Sequence, residues 1–381
     1  MQEKQKKTDA FCIGNRRYSR TSTLVIAEIG TAHNGSRQKA LELIHAAAEA
    51  GADCAKFQMV FAGEILHPLT GFVDLPGGRI PLYQRFRELE LPPEFFAEMK
   101  ESCEARGMLF LCTPFGEKSA AILRSLHPQA VKIASPELNH FPLIRACAGF
   151  GVPVILSTGV AKMQDIRRAL AEIPDAAETL LLQCLTAYPA PENEYNIRSL
   201  AFLRKKTGRP CGVSDHSLDP YLVPGTACAL GSCAVEKHIC LSKTGGGLDD
   251  PVALDPEQFR RMTQALRRWE KQTPDQVLSE LESGYGRAQV RAVLGRSRKT
   301  LAPSERKNYG YTNRSIHYMR DMKKGEIPGP DGAAVLRTEK TLTPGISPQY
   351  FSAVQCTPLA RDVQNGDGAR FRDFGGKRKL R

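Results

Sequence analysis

Apolar and polar positions alternate in a regular way from residue 24 to about residue 271. Short, almost continuous apolar runs are typical of buried parallel strands. The stretches between them repeat apolar residues every three or four positions, as amphipathic helices do. Strands are predicted at residues 24–30, 54–58, 108–114, 130–135, 153–158, 179–185, 211–217 and 233–239.

Helices are predicted between these strands, and Ser36 stands where the N-cap of the first helix is expected. Repeated strand–helix units imply a parallel sheet with right-handed crossovers. Eight such units within about 250 residues fit a closed (β/α)8 TIM barrel better than an open sheet. The predicted helices cover residues 36–51, 92–106, 116–126, 141–149, 161–172, 196–206, 220–230 and 256–271, and a loop rich in Gly and Pro covers 62–81.

Composition divides the chain into five segments. Residues 1–22 are a polar N-terminal extension that we expect to be poorly ordered, and residues 23–285 hold the barrel. Residues 286–312 have the composition of a linker. Short β-type runs and Gly and Pro turns predict a small β-rich module at residues 313–370. The basic tail, residues 371–381, is expected to fray.

Polar residues of the predicted strands are concentrated at the C-terminal ends. Active sites of TIM barrels lie at those ends, whereas buried parallel strands are otherwise apolar almost throughout. The pattern therefore predicts one common cleft. The residues at or just after these ends are Glu28, Lys56, Gln58, Thr113, Lys132, Ser135, Glu137, Ser157, Thr158, Thr186, Tyr188, Ser214, His216, Glu236 and His238.

Two neighbouring strand ends carry a histidine each, His216 and His238. A single histidine at such a position is more often a core residue than a ligand, but two at adjacent ends favour a metal site. Two imidazoles leave a divalent ion with open positions, which suits a Lewis acid that polarises a carbonyl. Mn2+ or Mg2+ would suit mixed N and O ligands, although two ligands do not fix the metal. Asp215 either supports His216 or is a turn residue.

Lys56 and Lys132 lie in otherwise apolar strands, and lysine is almost never fully buried without a partner. One interpretation is a structural salt bridge to Glu28 or Glu137. The other is an anion site for a phosphate and a carboxylate, since lysine binds phosphate as a point charge. Either glutamate could act as acid or base. The strand-end hydroxyls that complete such an anion site are those of Thr113, Ser135, Ser157 and Ser214.

The net charge of +12 raises the question of nucleic-acid binding. No basic motif interleaved with aromatic residues is present, so a basic surface around an enzyme for anionic substrates is favoured. Gly245-Gly246-Gly247 follows no dinucleotide or Walker pattern and is interpreted as a flexible loop that brings Asp249 over the barrel mouth.

Composition also bears on location. Hydrophobic residues make up 41% and charged residues 25% of the chain, as in ordinary globular proteins. No apolar run approaches the roughly 20 residues of a membrane span, and the polar start has no signal-peptide pattern. We therefore expect a cytoplasmic protein that does not contact a membrane. The eleven cysteines contain no Cys-x-x-Cys pair and are expected to be reduced core thiols.

Taken together, these motifs resemble the sialic acid synthases, enzymes that condense phosphoenolpyruvate with N-acetylmannosamine or a related aminosugar. The resemblance covers residues 24 to about 265, and residues 314–351 resemble the antifreeze-protein-like (SAF) domain that follows the barrel in that family. The carrying stretches are AEIGTAHNG (27–35), KFQ (56–58), TPF (113–115), KIASPE (132–137), LSTG (156–159), YP (188–189), SDHS (214–217) and EKH (236–238).

The resemblance implies a role for each matched residue. His216 and His238 would hold Mn2+, or Mg2+ or Co2+, and would form the catalytic centre with Glu28 and Glu137. Glu28 matches a carboxylate near the reacting carbons. The phosphoenolpyruvate contacts would be Lys56, Thr113, Lys132, Ser135, Ser157, Thr186 and Ser214, and the sugar contacts would be Gln58, Glu137, Tyr188 and Asp249. The family also implies a homodimer in which the small domain helps to close the partner's active site.

Three departures from the family concern the substrate side. Thr186 stands where the family commonly has Asn, and a family contact in the loop after the second strand falls near Gly77, in a stretch that matches poorly. The family's Arg-Pro-Gly in the small domain reads Thr343-Pro344-Gly345, and Thr supplies no guanidinium. Arg337 or Lys340 are the candidates to replace that arginine.

The predicted function is therefore N-acetylneuraminate synthase, with legionaminic and pseudaminic acid synthases as close competitors. One alternative is a phosphoenolpyruvate aldol-type synthase that uses a sugar phosphate, for which extra basic residues would be needed. Another is a catalytically impaired barrel that acts as a binding protein for a polyanion or a partner, suggested by the missing arginine and the basic tail.

Overall fold

The computed structural model describes residues 9–75, 78–339 and 341–380. Its main body is a nearly closed barrel of eight parallel strands, so the TIM-barrel prediction is confirmed. The strands follow one another around the barrel in chain order. The last barrel strand is hydrogen-bonded to the first, and the third and fourth lie side by side at the seam. The strands of the whole chain are β1 (Ala10–Ile13), β2 (Arg16–Ser19), β3 (Leu24–Gly30), β4 (Cys54–Met59), β5 (Phe72–Leu75), β6 (Gly78–Pro81), β7 (Leu109–Pro114), β8 (Val131–Ile133), β9 (Val154–Ser157), β10 (Thr179–Cys184), β11 (Cys211–Asp215), β12 (Ala234–His238), β13 (Arg314–Tyr318) and β14 (Ala333–Arg337).

Helices cover the outside of the barrel and follow the predicted positions. The Ser36 side chain accepts a hydrogen bond from the Lys39 amide, which confirms the predicted N-cap of the first helix. The helices are α1 (Arg37–Glu49), α2 (Ala62–Ile65), α3 (Leu82–Arg87), α4 (Pro93–Glu104), α5 (Glu117–Ser125), α6 (Phe141–Ala148), α7 (Met163–Leu170), α8 (Ser199–Thr207), α9 (Leu222–Ala229), α10 (Pro256–Trp269), α11 (Pro274–Tyr285), α12 (Arg287–Leu294), α13 (Gly329–Gly332) and α14 (Phe351–Cys356). The stretch 62–81, predicted as a loop, contains α2 and the hairpin β5–β6.

The barrel strands point alternate side chains inward and outward, with a period of two. On β3, Val25 and Ala27 belong to the shell of apolar residues between barrel and helices, whereas Leu24 and Ile26 belong to the barrel interior. Farther along the same inward row comes Glu28. Each strand therefore contributes apolar residues to the lower interior and polar residues to the C-terminal end.

The N-terminal hairpin β1–β2 closes the floor of the barrel. Phe11, Ile13 and Tyr18 are buried in the same apolar cluster as Leu24 and Ile26. The expectation that residues 1–22 are poorly ordered is wrong for residues 10–19, because these apolar side chains have a cluster to join. The polar composition of the segment concealed them.

The segment after the barrel is built more tightly than a linker. Helix α12 buries Val290, Val293 and Leu294 against the barrel core. The chain then runs across the C-terminal ends of β9 and β10 as a strap (residues 299–313). Lys299 at its start donates a hydrogen bond to Gln183 Oε1 at 3.1 Å.

A small C-terminal module is organised around the antiparallel pair β13 and β14. Its core contains Ile316, Tyr318, Val354 and Phe374. Short helices and turns make up most of the remainder, so the module has less strand than predicted. The tail does not fray: residues 377–380 form a 3-10 turn whose Leu380 side chain is buried.

The module lies against the barrel mouth of its own chain. Arg337 of β14 forms a bridge with Leu66, and Thr70 donates a hydrogen bond to the Thr338 carbonyl at 3.1 Å. The His67 ring nitrogen Nε2 lies 3.0 Å from Asn365 Oδ1. Within the described residues, every helix is too short or too polar to cross a lipid bilayer.

Candidate active site

The C-terminal ends of the barrel strands enclose a small inner chamber of about 60 Å³. Twelve predicted site residues line it. The two predicted residues that do not are Glu137 and Asp249. The predicted residues around the chamber are Glu28, Lys56, Gln58, Thr113, Lys132, Ser135, Ser157, Thr186, Tyr188, Ser214, His216 and His238.

Two lysines and two glutamates form the buried centre of the chamber. Lys56 Nζ lies 2.5 Å from Glu28 Oε2 and 3.8 Å from Glu236 Oε2. Lys132 Nζ lies 3.7 Å from Glu236 Oε1. All four side chains are at most 6% exposed. Glu28 also accepts a 2.7 Å hydrogen bond from Gln58 Nε2, so both the ion pair and the amide orient its carboxylate.

Burial and charge act against each other on these groups. Burial alone would lower the pKa of Lys56, but the carboxylates of Glu236 and Glu28 outweigh it and raise that pKa. For Lys132, burial prevails and the pKa is lowered. Burial would raise the pKa of Glu236, but Lys132 and Lys56 lower it to about 2. Glu236 is thus an anion at neutral pH, and Lys132 is the cation that loses its proton more easily.

Hydroxyl groups surround this charged centre. Ser157 Oγ accepts from Lys132 Nζ at 2.7 Å, and Thr113 Oγ1 accepts from Lys56 Nζ at 3.4 Å. Ser214 donates to Glu236 Oε1 at 2.8 Å. The Thr186 hydroxyl is buried and has no hydrogen-bond partner in the described chain. A buried hydroxyl without a partner is costly, so it is available to a bound molecule.

His216 and His238 lie next to each other, with ring centroids 5.4 Å apart. The Leu185 carbonyl accepts a 2.6 Å hydrogen bond from His216 Nδ1, so Nε2 is the ring nitrogen that a metal ion could bind. Tyr188 stacks on the His216 ring with a centroid distance of 4.3 Å. On the other side, His238 Nδ1 lies 3.8 Å from Asp249 Oδ2.

The surroundings of His216 favour its charged form, whereas those of His238 favour its neutral form. Burial would lower the pKa of His216, but Cys184, the Leu185 carbonyl and Asp215 raise it to about 9. The pKa of His238 is lowered by burial and by its cationic neighbours. Around His216, a site that favours an imidazolium also favours a metal cation in the place of the proton. The lowered pKa of His238 favours the neutral imidazole, which is the form that binds a metal. The two imidazoles therefore fit a pair of metal ligands, although no group of three or more protein ligands forms among the described residues.

A larger outer chamber of about 500 Å³ opens above the inner one. Five residues line both chambers: Gln58, Ala134, Pro136, Thr186 and Tyr188. Asp249 lines the outer chamber, as the sequence predicted, and so does Arg337 of the module. The large apolar side chains of its wall are those of Val60, Phe86, Leu89, Phe115 and Leu248.

Glu137 has a different place from the one predicted, since it lines neither chamber. Its Oε1 accepts hydrogen bonds from Arg314 Nη2 at 3.0 Å and from Arg337 Nη2 at 2.8 Å. Arg314 is fully buried, and it also donates to the Phe115 carbonyl at 2.8 Å. In this conformation Glu137 anchors the module. Arg337, one of the two candidates to replace the missing arginine, reaches the outer chamber. The other candidate, Lys340, lies outside the described residues. Gly77, near which a family contact was expected, also lies outside them.

Two predicted loops are pinned by specific contacts. Asp250 Oδ2 accepts from the Gly247 amide at 2.8 Å, which holds the glycine loop before Asp249. Asp215 forms a 2.6 Å ion pair with the fully buried Lys237 and accepts from the Ser217 amide at 2.8 Å. It therefore shapes the turn that carries His216.

Sequence reasoning gave no role to Glu236, Cys184 and Glu305. Glu236 lies two positions before His238 on one strand, and Cys184 lies two positions before Thr186. A period of two along the strand was therefore the signal for both. Glu305 in the strap accepts hydrogen bonds from the Val160 and Thr186 amides. No local sequence pattern predicts these contacts.

Comparisons with known proteins identify the family of the chain. A profile of the NeuB family matches residues 43–277. The spore coat polysaccharide biosynthesis protein SpsE of Bacillus subtilis is 32% identical over 96% of this chain and 97% of its own length. The N,N'-diacetyllegionaminic acid synthase of Legionella pneumophila is 30% identical over 92% of this chain and 94% of its own length.

Two solved structures resemble most of the chain. The crystal structure of the Bacillus subtilis SpsE protein superposes with a TM-score of 0.80 and 31% identity, covering 96% of this chain and 99% of that one. The N-acetylneuraminic acid synthetase of Leptospira borgpetersenii has a TM-score of 0.63 and 26% identity, covering 74% of this chain and 98% of that one. The chain belongs to the NeuB family of sialic acid synthases, enzymes that condense phosphoenolpyruvate with a sugar.

Proposed function

We propose that this chain condenses phosphoenolpyruvate with the open-chain aldehyde of an N-acetylated aminosugar and produces a nonulosonic acid. N-Acetylmannosamine, with N-acetylneuraminate as product, is the first candidate. The observation that carries the proposal is the pair of connected chambers. A small polar chamber with two lysines suits a compact trianion, and a larger, partly apolar chamber suits a sugar with an acyl group.

The reaction forms one carbon–carbon bond and breaks one carbon–oxygen bond. C3 of phosphoenolpyruvate attacks the aldehyde carbon, whose oxygen takes a proton and becomes a hydroxyl. Water then adds at C2 and gives up a proton. The bond between C2 and the phosphate oxygen breaks, and the hydroxyl at C2 gives its proton to the leaving phosphate. This leaves a keto group at C2 and inorganic phosphate.

The inner chamber supplies groups for each of these steps. Lys56 and Lys132 balance the charge of the phosphate and carboxylate groups, while the adjacent hydroxyls fix their orientation. Glu28 and Glu236 lie beside these lysines, where a carboxylate can take a proton from the attacking water. Because Glu28 is also bound to Gln58, which both chambers share, it lies where the two substrates meet.

The electrophilic end of the site is the histidine pair. When held by His216 and His238, a divalent ion such as Mn2+, or Mg2+ or Co2+, would polarise the aldehyde oxygen as a Lewis acid. Tyr188 covers the His216 ring, and Asp249 lies beside His238. Both side chains therefore face the sugar from the direction of the outer chamber.

The identity of the sugar is to be determined by experiment. The relatives named above include a legionaminic acid synthase, and a pseudaminic acid synthase of Campylobacter jejuni is 28% identical over 92% of this chain. The precursors of these two acids therefore belong in the test. The predicted homodimer, with modules exchanged between partners, stays a prediction.

The test uses the purified full chain with phosphoenolpyruvate, Mn2+ and a panel of aminosugars, and it follows phosphate release. We expect release with one class of N-acylated sugar, and no release with any sugar would contradict the proposal. Dialysis against a chelator should abolish activity and added Mn2+ should restore it. A His216→Ala variant that keeps full activity would contradict the metal assignment, with His45→Ala on the exposed face of α1 as the control.

A further inference from the structure

The strap brings one buried carboxylate to the edge of the inner chamber. We infer that Glu305 is a positioning residue for the phosphoenolpyruvate subsite, an inference that rests on the proposed function. Its side chain is 1% exposed. It lines neither chamber, so it acts through the residues that it holds.

Glu305 accepts hydrogen bonds from two strand-end amides. Its Oε1 lies 2.7 Å from the Val160 nitrogen and 3.0 Å from the Thr186 nitrogen. Its Oε2 lies 3.2 Å from the amide of Ala302, which fixes the carboxylate within its own turn. Hydrogen bonds to an ionised acceptor are about twice as strong as neutral ones. One side chain therefore joins the loop after β9 to the loop after β10.

The loop after β9 needs such support. Val160 is a buried β-branched residue with φ of +39°, in the left-handed region that such residues rarely adopt. A conformation of this kind persists only where the surroundings enforce it. Glu305 holds the Val160 amide, and Asn313 at the end of the strap donates to the Val160 carbonyl at 3.3 Å.

The same loop sets two hydroxyls of the inner chamber. The Gly159 amide donates to Ser135 Oγ at 2.9 Å. A Cβ atom on Gly159 would lie 2.3 Å from Thr186 Oγ1 and 2.9 Å from Ser135 Oγ, so the bare glycine packs directly on both hydroxyls. When Glu305 releases Val160 and Thr186, Gly159 shifts and the two hydroxyls lose their orientation.

Glu305 acts mainly on the phosphoenolpyruvate contacts, because the residues held through it are proposed contacts of that substrate. Among the described residues, Glu28 and His238 have no hydrogen bond to the strap carboxylate. The Thr186 amide, however, belongs to the same peptide group as the Leu185 carbonyl that accepts from His216 Nδ1. Loss of the carboxylate should therefore weaken phosphoenolpyruvate binding most and lower kcat by a smaller factor through His216.

The experiment compares Glu305→Ala and Glu305→Gln with the unaltered full chain in steady-state kinetics, with each substrate varied in turn. For Glu305→Ala we expect the KM for phosphoenolpyruvate to rise about 10- to 100-fold, as for lost hydrogen bonds to a charged group. The KM for the sugar should stay within about threefold, and kcat should fall by less than the KM for phosphoenolpyruvate rises. Glu305→Gln keeps one acceptor oxygen and should restore most of the affinity.

The matched control is Glu194→Gln. Glu194 Oε2 accepts from the Ser304 amide at 2.9 Å, so it also anchors the strap, but it does not reach either chamber. We expect its KM for phosphoenolpyruvate to equal that of the unaltered chain. Equal increases in both variants would assign the effect to a loose strap and overturn the inference.

Two other outcomes also decide the question. An unchanged KM for phosphoenolpyruvate in a folded Glu305→Ala chain would overturn the inference, as would equal losses for both substrates. A thermal-unfolding shift induced by phosphoenolpyruvate alone measures the same affinity without turnover, and it should be weaker in Glu305→Ala. If the unaltered chain releases no phosphate, the proposed function fails. The thermal shift with phosphoenolpyruvate then decides the inference by itself, and equal shifts in the unaltered chain and in Glu305→Ala would overturn it.

Discussion

The floor and the mouth of the barrel are made from the same strands but from opposite kinds of residue. At the floor, Leu24, Ile26 and Leu182 pack on Phe11 and Tyr18 of the N-terminal hairpin. At the mouth, the same inward rows continue as the charged and hydroxyl groups of the inner chamber. The floor gains its stability from apolar burial, whereas the mouth brings together buried charges whose desolvation is costly.

The difference shows how one fold divides its tasks along each strand. Inward positions near the start of a strand stabilise the barrel, and those near the end serve chemistry. Substitutions at the two ends should therefore be separable: floor variants should change the free energy of unfolding, and mouth variants should change turnover.

The largest effect is expected at the mouth, for Lys132→Met. It removes a cation beside Glu236 and the ammonium that donates to the Ser157 hydroxyl. The kcat/KM for phosphoenolpyruvate should therefore fall about 1,000-fold, as for lost electrostatic stabilisation in an enzyme site. Phosphate release under saturating sugar measures it. The exposed Lys118→Met is the control, and a Lys132 variant within tenfold of normal would contradict the assignment of this lysine.

The next largest effect is expected at the floor, for Phe11→Ala. Truncating this fully buried ring should lower the free energy of unfolding by about 3–5 kcal/mol while kcat at 25 °C stays unchanged. Urea denaturation gives the first quantity and phosphate release the second. Phe202→Ala, on the half-buried face of α8, should cost about 1 kcal/mol. A fall in kcat for the folded Phe11 variant would show that floor and mouth are not separable.

Low pH should destabilise the module beside the mouth more than the floor. The apolar cluster of the floor contains no histidine among its described members. Burial lowers the pKa of His317 to about 4, and in an unfolded chain it is near 6.5. The neutral ring therefore contributes stability that is complete above pH 6.5 and declines as the pH falls towards 4. In that pH window the unfolded chain binds one more proton than the folded chain. The free energy of unfolding therefore falls by about 3 kcal/mol.

His317→Asn isolates this contribution, because an asparagine amide can still donate to the Gly366 carbonyl that His317 Nδ1 contacts at 3.1 Å. The variant should lose less stability than the unaltered chain between pH 7 and pH 4, measured by urea denaturation at both values. Parallel pH profiles for the two chains would contradict the role of this histidine.

The smallest effect is expected for Thr186→Val at the mouth. The Thr186 hydroxyl has no partner in the described chain, so its replacement by a methyl group should leave stability unchanged or slightly raised. If the hydroxyl contacts phosphoenolpyruvate, KM should rise about tenfold, the cost of roughly one hydrogen bond. An unchanged KM would remove Thr186 from the substrate contacts.

The sequence predicted the barrel and most of the inner chamber because strand alternation is a local property. Glu28, Lys56 and His216 stand out as polar residues at the ends of apolar runs. Glu236 was placed at a strand end in the same way, but no role was assigned to it. Arg314 and Glu305 could not be predicted, since their partners are more than 100 residues away in the chain and no local periodicity reports such a contact. Arg337 was named only as a replacement for the missing arginine, and its ion pair with Glu137 was not predicted. The hairpin at the floor was missed because its few apolar residues stand among polar ones.

The ion pair between Arg314 and Glu137 links the evolution of the barrel to that of the module. A buried carboxylate that loses its guanidinium partners costs several kcal/mol, so a barrel separated from its module would carry an uncompensated charge at residue 137. Exchange of modules between distant relatives can succeed only where both sides of this contact arrive together. Barrel and module are therefore expected to descend as one unit, and chimeric chains joined near residue 312 should fold only when Arg314 and Glu137 are both retained.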